Sequence, residues 1–556
     1  MLRAFWTWNP VSSVTHRPFD EPYAYRNNGW LFDREVWTST FRAMSDAGFN
    51  AMILANTHPF PFMVNLADFP QAKVIDDTRL ADYIAAYHWI FREARARGIA
   101  PYVLFFSIYY PDPLLAHLGI TAQESQQGTG FSIDYTNYCV RLLLREYPEL
   151  AGIVGDASEN IDADQRETFL QGAVVDAVDE ERPDIHLMMR GYWSDPAKMT
   201  GQLKRRNGKP ITWTNKYTFE HLVHTDPDPV FKSWVKSAGA ENVAGEFWIS
   251  NFEPWSCFSF ESIEGIVANL EKLGCAGFSV HPLSMYQWPF CSDTAFRYQW
   301  ERDIDFYRAW GSTATLQDRL LSRPDLADGF AAASRVMERL ALYIAGDREN
   351  QWHPQFCSIK DYNRKPPHLL TIEDMLNSDD MKVFQLGKNW WQNVTGQRVV
   401  HFAEYVESGT PAGAFGPEEF IEELGALSSE ALAAAGSALS EAAGDDALRS
   451  LALDAQCMGL LGEFYVHRSR AAISRGSGDD AQAVRELGMA LESYKQLAEA
   501  DSQHRKPFRV LAGRATVIGD FRDTLSALEA EYTDAAAGEF KRGAGVYQIH
   551  KVEGGW

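Results

Sequence analysis

Two hydrophobic patterns alternate along roughly the first 310 residues of the chain. Short aliphatic and aromatic runs, typical of buried strands, are each followed by a longer segment with apolar residues at helical spacing. The predicted strands are 3–9, 49–56, 100–110, 150–156, 184–193, 209–217, 241–250 and 275–283. The predicted helices are 34–47, 79–98, 131–147, 163–181, 196–206, 228–239, 260–273 and 296–309. Strands that each lead into a helix indicate an α/β fold, and eight such units predict a closed (β/α)8 TIM barrel.

Glycines mark the ends of several predicted helices. Gly48, Gly98 and Gly274 stand just before predicted strands, where glycine commonly terminates a helix. An open, doubly wound sheet is the alternative arrangement of the same units. Because no G-x-G-x-x-G follows the first strand, the sequence lacks the usual dinucleotide cradle of such a sheet, and no cofactor is predicted.

The pattern changes near residue 315. Ala, Glu, Leu and Arg dominate long stretches from there on, and thirteen of the seventeen tryptophans lie at or before residue 310. We therefore predict a catalytic barrel over 1–314 and a mainly α-helical C-terminal region over 315–556, with 346–416 as a mixed, aromatic-rich connecting segment. The predicted C-terminal helices are 323–345, 417–443, 446–475, 479–500 and 504–536.

Composition narrows the class of partner. The net charge of −23 disfavours nucleic acid and anionic lipid surfaces, both of which attract concentrated Lys and Arg. No window of 18 apolar residues predicts a membrane span. The amino terminus enters a strand directly, without the pattern of a secretory signal, which predicts a cytoplasmic location. The six cysteines form no C-x-x-C pair and are predicted to be reduced, mostly buried thiols.

The predicted strand ends carry the candidate chemistry, because active sites of such barrels lie at the carboxyl ends of the strands. Polar, charged and aromatic residues follow every predicted strand. We predict no metal ligands among them and a substrate-binding set made of Trp8, Asn9, Asn56, His58, Tyr109, Asp156, Asn160, Arg190, Trp193, Lys216, Tyr217, Trp248, His281, Tyr286 and Trp288.

Two glutamates are the predicted catalytic residues. Glu159 follows the fourth predicted strand and Glu246 ends the seventh, and a carboxylate there is costly to bury without a partner or a function. Cleavage of a glycosidic bond uses two carboxyl groups, one protonated and one ionised. The competing interpretation is that each is an ordinary or salt-bridged loop residue.

Aromatic rings near these ends suit a sugar substrate, since Trp and Tyr offer flat apolar area at little entropic cost. We predict that Trp193, Trp248 and Trp288 serve as platforms for sugar rings. Core packing is the competing interpretation for these three. It is the preferred one for the tryptophans that lie within predicted strands or helices, namely Trp6, Trp213 and Trp234.

Two cations, Arg190 and Lys216, end neighbouring predicted strands of an acidic chain. An arginine and a lysine together suit a substrate carboxylate, which points to a uronic acid. The alternative is a structural ion pair with Asp156 or a glutamate, which would lower the pKa of that acid. Both interpretations stay open at this stage.

The positions of Glu159 and Glu246 resemble those in the large clan of barrel glycosidases that carry the acid/base after strand four and the nucleophile after strand seven. That resemblance covers residues 1–310 and implies an acid role for Glu159. Members usually have Asn directly before the acid Glu, whereas here Ser158 precedes Glu159 and Asn160 follows it. A barrel followed by a helical region is also similar in architecture to the family 67 α-glucuronidases, which invert configuration and act on imported oligosaccharides.

Our first hypothesis is an exo-acting glycoside hydrolase that uses Glu159 as general acid and Glu246 as nucleophile or base. A second is a lyase or isomerase acting on a uronic acid, with a base drawn from His281, Tyr217 and Lys216. A third is a metal-dependent hydrolase that would use Asp156, Glu159, Glu246 and His281. A sugar-binding barrel without activity is the fourth, and the helical region offers a surface for homo-oligomers.

Overall fold

The computed structural model describes the whole chain except residues 9–10, 14–27, 107–108, 122–123, 125–127, 129, 157–160, 193, 219–220, 250, 321, 345–351, 360–367, 378–390, 393–394, 513–514 and 544–556. Within the described part, eight parallel strands form a closed barrel in chain order, with β1 paired to β8. The predicted (β/α)8 fold is therefore confirmed. The strands are β1 (Leu2–Trp8), β2 (Ala51–Asn56), β3 (Ala100–Phe106), β4 (Gly152–Asp156), β5 (His186–Arg190), β6 (Thr212–Lys216), β7 (Val243–Phe247) and β8 (Gly277–Val280).

Helices surround this barrel where the apolar spacing predicted them. Gly274 ends one of them in the left-handed conformation that suits glycine, with φ of 74°. The helices are α1 (Arg34–Asp46), α2 (Phe60–Met63), α3 (Asp77–Ala96), α4 (Asp112–Leu118), α5 (Gly130–Glu146), α6 (Arg166–Leu170), α7 (Asp176–Glu181), α8 (Pro196–Gln202), α9 (Pro229–Ala238), α10 (Phe260–Leu273), α11 (Gln299–Arg302) and α12 (Ile304–Trp310). A π-helical turn over Gln171–Val175 joins α6 to α7.

The C-terminal region is mainly helical, as predicted. Its long helices α14, α17, α18 and α19 pack against one another in sequence. The helices are α13 (Leu316–Arg319), α14 (Pro324–Tyr343), α15 (Ile372–Leu376), α16 (Phe402–Ser408), α17 (Pro417–Glu441), α18 (Asp446–Gly476), α19 (Asp480–Ser502) and α20 (Arg522–Ala536). In the described part of the chain, no helix is both long enough and apolar enough to cross a bilayer.

Strands in this region correct two predictions. The predicted helix 504–536 is in fact an antiparallel hairpin, β12 (Phe508–Ala512) and β13 (Ala515–Gly519), followed by α20. Its β-branched run Thr516, Val517 and Ile518 favours a strand over a helix. The composition after residue 315 also predicts helices and no strand-like runs. A small sheet nevertheless forms from β9 (Trp352–His353), β10 (Ser358–Ile359) and β11 (His368–Leu369).

The barrel separates two clusters of buried side chains. Alternate strand residues point inward and form a small inner cluster that includes Trp6, Ile53, Tyr102, Leu104 and Met188. The remaining strand residues point outward and join the large cluster beneath the helices. The six cysteines are free thiols, of which only Cys291 is more than slightly exposed.

Candidate functional site

Charged side chains continue the inward row of the barrel toward the carboxyl ends of its strands. The inner cluster contains Val154 of β4 and Met188 of β5, and two residues further along these strands stand Asp156 and Arg190. Glu246 follows the inner residue Ala244 of β7 by the same spacing. Because side chains alternate with period two, these charged groups converge at one mouth of the barrel.

Arg190 joins two carboxylates in this cluster. Its Nε and Nη2 donate to the two carboxylate oxygens of Glu246 at 2.9 Å and 2.8 Å. Its Nη1 donates to Oδ2 of Asp156. The three side chains are at most 4% exposed. The sequence left open whether Arg190 binds substrate or forms an ion pair, and in the structure it forms the ion pair.

The charges around Glu246 decide its protonation state. Burial alone would raise the pKa of Glu246, but the attraction of Arg190 and the contact with His281 outweigh burial and hold the pKa well below its usual range. Burial lowers the pKa of His281 to about 4, although Glu246 opposes that shift. At neutral pH the site therefore presents an ionised carboxylate beside a neutral imidazole, whose Nε2 lies 3.5 Å from Oε1 of Glu246.

Aromatic rings form the surroundings of His281 and Lys216. Trp6 stacks on the imidazole of His281 with ring centroids 3.8 Å apart, and Trp248 lies nearly parallel to it at 5.5 Å. The ammonium of Lys216 lies 3.7 Å from the ring centroid of Tyr192 and 5.5 Å from that of Trp248. Such rings stabilise a cation and also offer flat apolar faces to a sugar.

Three residues of the site were missed from the sequence. Trp6 was assigned to the core, and it does belong to the inner cluster, but it also contacts His281. Tyr192 was not selected, and neither was Ser279, which pairs with Glu246 across β7 and β8. The period-two alternation counted back from the strand ends would have selected Trp6 and Ser279, whereas Tyr192 lies in a loop where no such rule applies.

Asn56 and His58 lie outside this cluster. Asn56 follows the inward Ala55, so its side chain points outward, where its Nδ2 donates to the carbonyl of Val11 at 2.7 Å. The buried His58 contacts the hydroxyl of Tyr135 at 3.0 Å, and burial lowers the pKa of His58 to about 3. These residues hold the loop after β2, and their role in substrate binding stays a prediction.

Tyr217 and Trp288 are also held away from the cluster. Tyr217 follows the inward-facing Lys216, and its ring packs outward against Phe231 and Phe247. Its hydroxyl donates to the carbonyl of Thr225 at 2.9 Å. The indole of Trp288 donates to Oγ1 of Thr7 at 2.7 Å, on the outward face of β1. Strand alternation is the physical reason for both placements.

The remaining predicted residues divide into two groups. Tyr109 is buried, at 3% exposure, in the segment after β3. Several predictions lie outside the described residues, and the first of these is the proposed catalytic acid; they are Glu159, Asn9, Asn160, Trp193 and the side chains of Trp8 and Tyr286.

A group of side chains that could bind a metal ion lies away from the barrel mouth. Among the described residues, Asp293, Asp454 and His504 form one group of suitable ligand atoms. The guanidinium of Arg505 already contacts this group, donating to Asp454 and lying 3.2 Å from Nε2 of His504. At the barrel mouth, Arg190 likewise occupies the position between Asp156 and Glu246 that a cation would take.

Comparison with known proteins identifies a relative in fold alone. No family model and no curated protein sequence matches the chain. A GH138 enzyme targeting pectin rhamnogalacturonan II superposes with a TM-score of 0.81 at 18% sequence identity, over 97% of this chain and 83% of that one. An exo-β-1,4-mannosidase from Opitutaceae bacterium strain TAV5 superposes with a TM-score of 0.33 at 12% identity, over 50% of this chain and 51% of that one. The similarity to the GH138 enzyme therefore extends through the barrel and the helical region.

Proposed function

We propose that the chain is an exo-acting glycoside hydrolase that cleaves oligosaccharides at the carboxyl end of its barrel. The observation that carries this proposal is the buried, ionised Glu246, held by both of its oxygens to Arg190 and flanked by stacked aromatic rings. The shared architecture with the GH138 enzyme supports the same conclusion. An ionised carboxylate beside a sugar platform is what attack at an anomeric carbon requires.

Glu246 acts in this scheme as nucleophile, or as the base that activates water if the reaction inverts configuration. Glu159, three residues after the end of β4 at Asp156, is the proposed general acid, and Asp156 is its rival for that role. Asp156 shares Arg190 with Glu246, so a proton on Asp156 would weaken that ion pair. This contact makes Glu159 the better candidate for the protonated group.

The proposed substrate carries a uronic acid. Lys216 is the proposed receptor for the substrate carboxylate, because it pairs with Glu246 in the register of β6 and β7 and its ammonium lies against two aromatic rings. The aromatic rings of Tyr192 and Trp248 beside its ammonium would face the sugar. The pectic target of the GH138 enzyme points to acidic plant oligosaccharides as the first class to test.

A panel of aryl glycosides and aryl uronides, with the product anomer followed by NMR, tests this function. We expect release of the aryl group from a uronide, and the first anomer formed reports retention or inversion. The alternative of a lyase draws on the neutral His281 beside Glu246. Both reactions free a reducing end, but only elimination creates a conjugated double bond in the uronic acid. New ultraviolet absorbance with uronide oligomers would therefore overturn the hydrolase. A cytoplasmic location and self-association remain predictions from the sequence.

A further inference from the structure

The loop that follows the proposed catalytic strand is bound by the helical region. This loop lies between the end of β7 and the start of α10, and its described residues, 248–249 and 251–259, are called the β7 loop below. The hydroxyl of Ser334, on α14, accepts the backbone N–H of Phe258 at 2.7 Å. One turn further along α14, a carboxylate oxygen of Glu338 accepts the hydroxyl of Ser259 at 2.6 Å. All four of these residues are buried.

Helices α18 and α19 bind the middle of the same loop. Oδ2 of Asp454 accepts the backbone N–H of Ser256 at 2.9 Å. Oδ1 of Asp501 accepts the indole N–H of Trp255 at 3.1 Å, and this indole is fully buried. The side chain of Gln355 donates to the carbonyl of Asn251 at 3.1 Å. The helical region thus contacts the loop at its beginning, middle and end.

Because these hydrogen bonds are buried, they fix the conformation of the loop. A hydrogen bond shielded from water has no solvent substitute, so its geometry fixes the backbone that it holds. The segment that follows β8 is held in the same manner. The N–H of Thr294 donates to the carbonyl of His504 at 2.8 Å, and the N–H of Lys506 donates to the carbonyl of Ser292 at 2.9 Å. The loops after β7 and β8 are therefore both held by residues outside the barrel.

The β7 loop begins with Trp248, two residues after Glu246. Trp248 is partly exposed and stacks beside His281, where it also faces Lys216. Glu246 itself is fixed independently, by the strand pairing of β7 and by Arg190. A change in the β7 loop should consequently move the aromatic platform while leaving the reacting carboxylate in place.

We propose that Ser334 is a positioning residue, through which the helical region sets the place of Trp248 in the substrate site. The helical region is in this sense a part of the active site and contributes to substrate affinity. The kinetic consequence rests on the proposed glycosidase activity. The structural consequence, a fixed β7 loop, does not depend on any activity.

The test compares Ser334→Ala with the matched control Ser428→Ala. Ser428 is equally buried, but its hydroxyl donates to the carbonyl of Leu424 within its own helix, so it shares the chemistry without the loop contact. We expect Ser334→Ala to raise KM for an oligosaccharide about tenfold with kcat changed less than twofold, and Ser428→Ala to change neither. Backbone exchange in a peptide covering 247–255 should be faster in Ser334→Ala alone.

Combination with Trp248→Ala separates positioning from a general loss of structure. If Ser334 acts through Trp248, then Ser334→Ala adds nothing to the KM of the Trp248→Ala variant, because the group that it positions is gone. Equal KM effects in both backgrounds, or no difference in exchange between the two serine variants, would overturn the proposal. If wild-type protein hydrolyses no glycoside while the exchange difference persists, only the proposed function fails. Trp255→Phe, which removes the donor to Asp501, replaces Ser334→Ala if that variant does not fold.

Discussion

Arg190 shows how one buried side chain changes the roles of its neighbours. By donating to both Asp156 and Glu246 it keeps Glu246 ionised, while its role in substrate binding stays a prediction. Of the two cations that the sequence could not tell apart, Arg190 binds two carboxylates, and Lys216 lies against the rings of Tyr192 and Trp248. Pairing of this kind depends on side-chain geometry across three strands, which spacing along the chain does not reveal.

Replacing Lys216 by Met should remove recognition of a substrate carboxylate while keeping the shape of the side chain. We expect kcat/KM for an aryl uronide to fall about 10- to 100-fold, and that for the matching neutral aryl glycoside to change much less. Lys198→Met, at a partly exposed pair with Glu167 outside the barrel mouth, is the control. Equal losses on both substrates would argue against a carboxylate receptor.

His58 should make stability depend on pH. Burial lowers its pKa to about 3 in the folded chain, against an ordinary value near 6.5, so between these values the unfolded chain binds a proton that the folded chain does not. Stability from this source is complete above about pH 6.5 and falls as pH drops toward 3. Urea unfolding at pH 7 and pH 5 should show a smaller loss in His58→Gln than in wild type. The exposed His117→Gln should behave as wild type, and an unchanged loss in His58→Gln would contradict the assignment.

At the scale of elements, the sequence was most informative where its pattern was regular. All eight barrel strands overlap their predicted ranges, because short apolar runs repeat between amphipathic helices. The sequence around the hairpin β12–β13 is strongly helical, so the pattern predicts a helix there in place of the two strands. Asn56 and Tyr217 lie at strand ends, which is why the sequence predicts them in the substrate site. Alternate residues at a strand end face opposite sides of the barrel, and these two face outward.

Gly191 illustrates how an element is held close to its neighbour. It follows Arg190 at the end of β5, and a Cβ there would come within 2.2 Å of the Trp234 ring on α9. Gly191→Ala should therefore destabilise the fold by about 1–3 kcal/mol and lower kcat by displacing Arg190. Gly201→Ala, in open space on α8, should be neutral or slightly stabilising. Thermal unfolding and kcat of both variants provide the measurement, and equal behaviour of the two would contradict the packing argument.

At the scale of the whole molecule, buried charges of the helical region contact the β7 loop of the barrel. Arg505 donates to Asp454 and Asp501 and also reaches the carbonyl of Pro254 in the β7 loop at 3.3 Å. Asp454, Asp501 and Arg505 lie about 200 to 250 positions after that loop in the sequence. No local pattern could therefore predict these contacts. The change in composition near residue 315 indicated a second region, but not that this region would help to build the barrel mouth.

Removing one of the shared charges should therefore cost much more than removing an exposed one. Asp454→Ala leaves Arg505 buried without its main partner, and we expect a loss of about 3–5 kcal/mol in the free energy of unfolding. Glu441→Ala breaks a half-exposed pair with Arg323, and solvent screening should make its cost much smaller. Denaturant unfolding of both variants gives the comparison. Equal costs would mean that the buried pair of Asp454 and Arg505 contributes no more to stability than the half-exposed pair.

The central claim is that Glu246 is a catalytic carboxylate, and a pair of isosteric variants tests it most directly. Glu246→Gln removes the charge from the group that Arg190 holds, whereas Glu253→Gln changes a buried carboxyl whose pKa burial raises well above its usual range, which favours its neutral form. With the best aryl glycoside found, we predict that kcat falls at least about 1000-fold in Glu246→Gln and stays within about threefold of wild type in Glu253→Gln. Hydrolysis by folded Glu246→Gln at a rate near that of wild type would contradict the account.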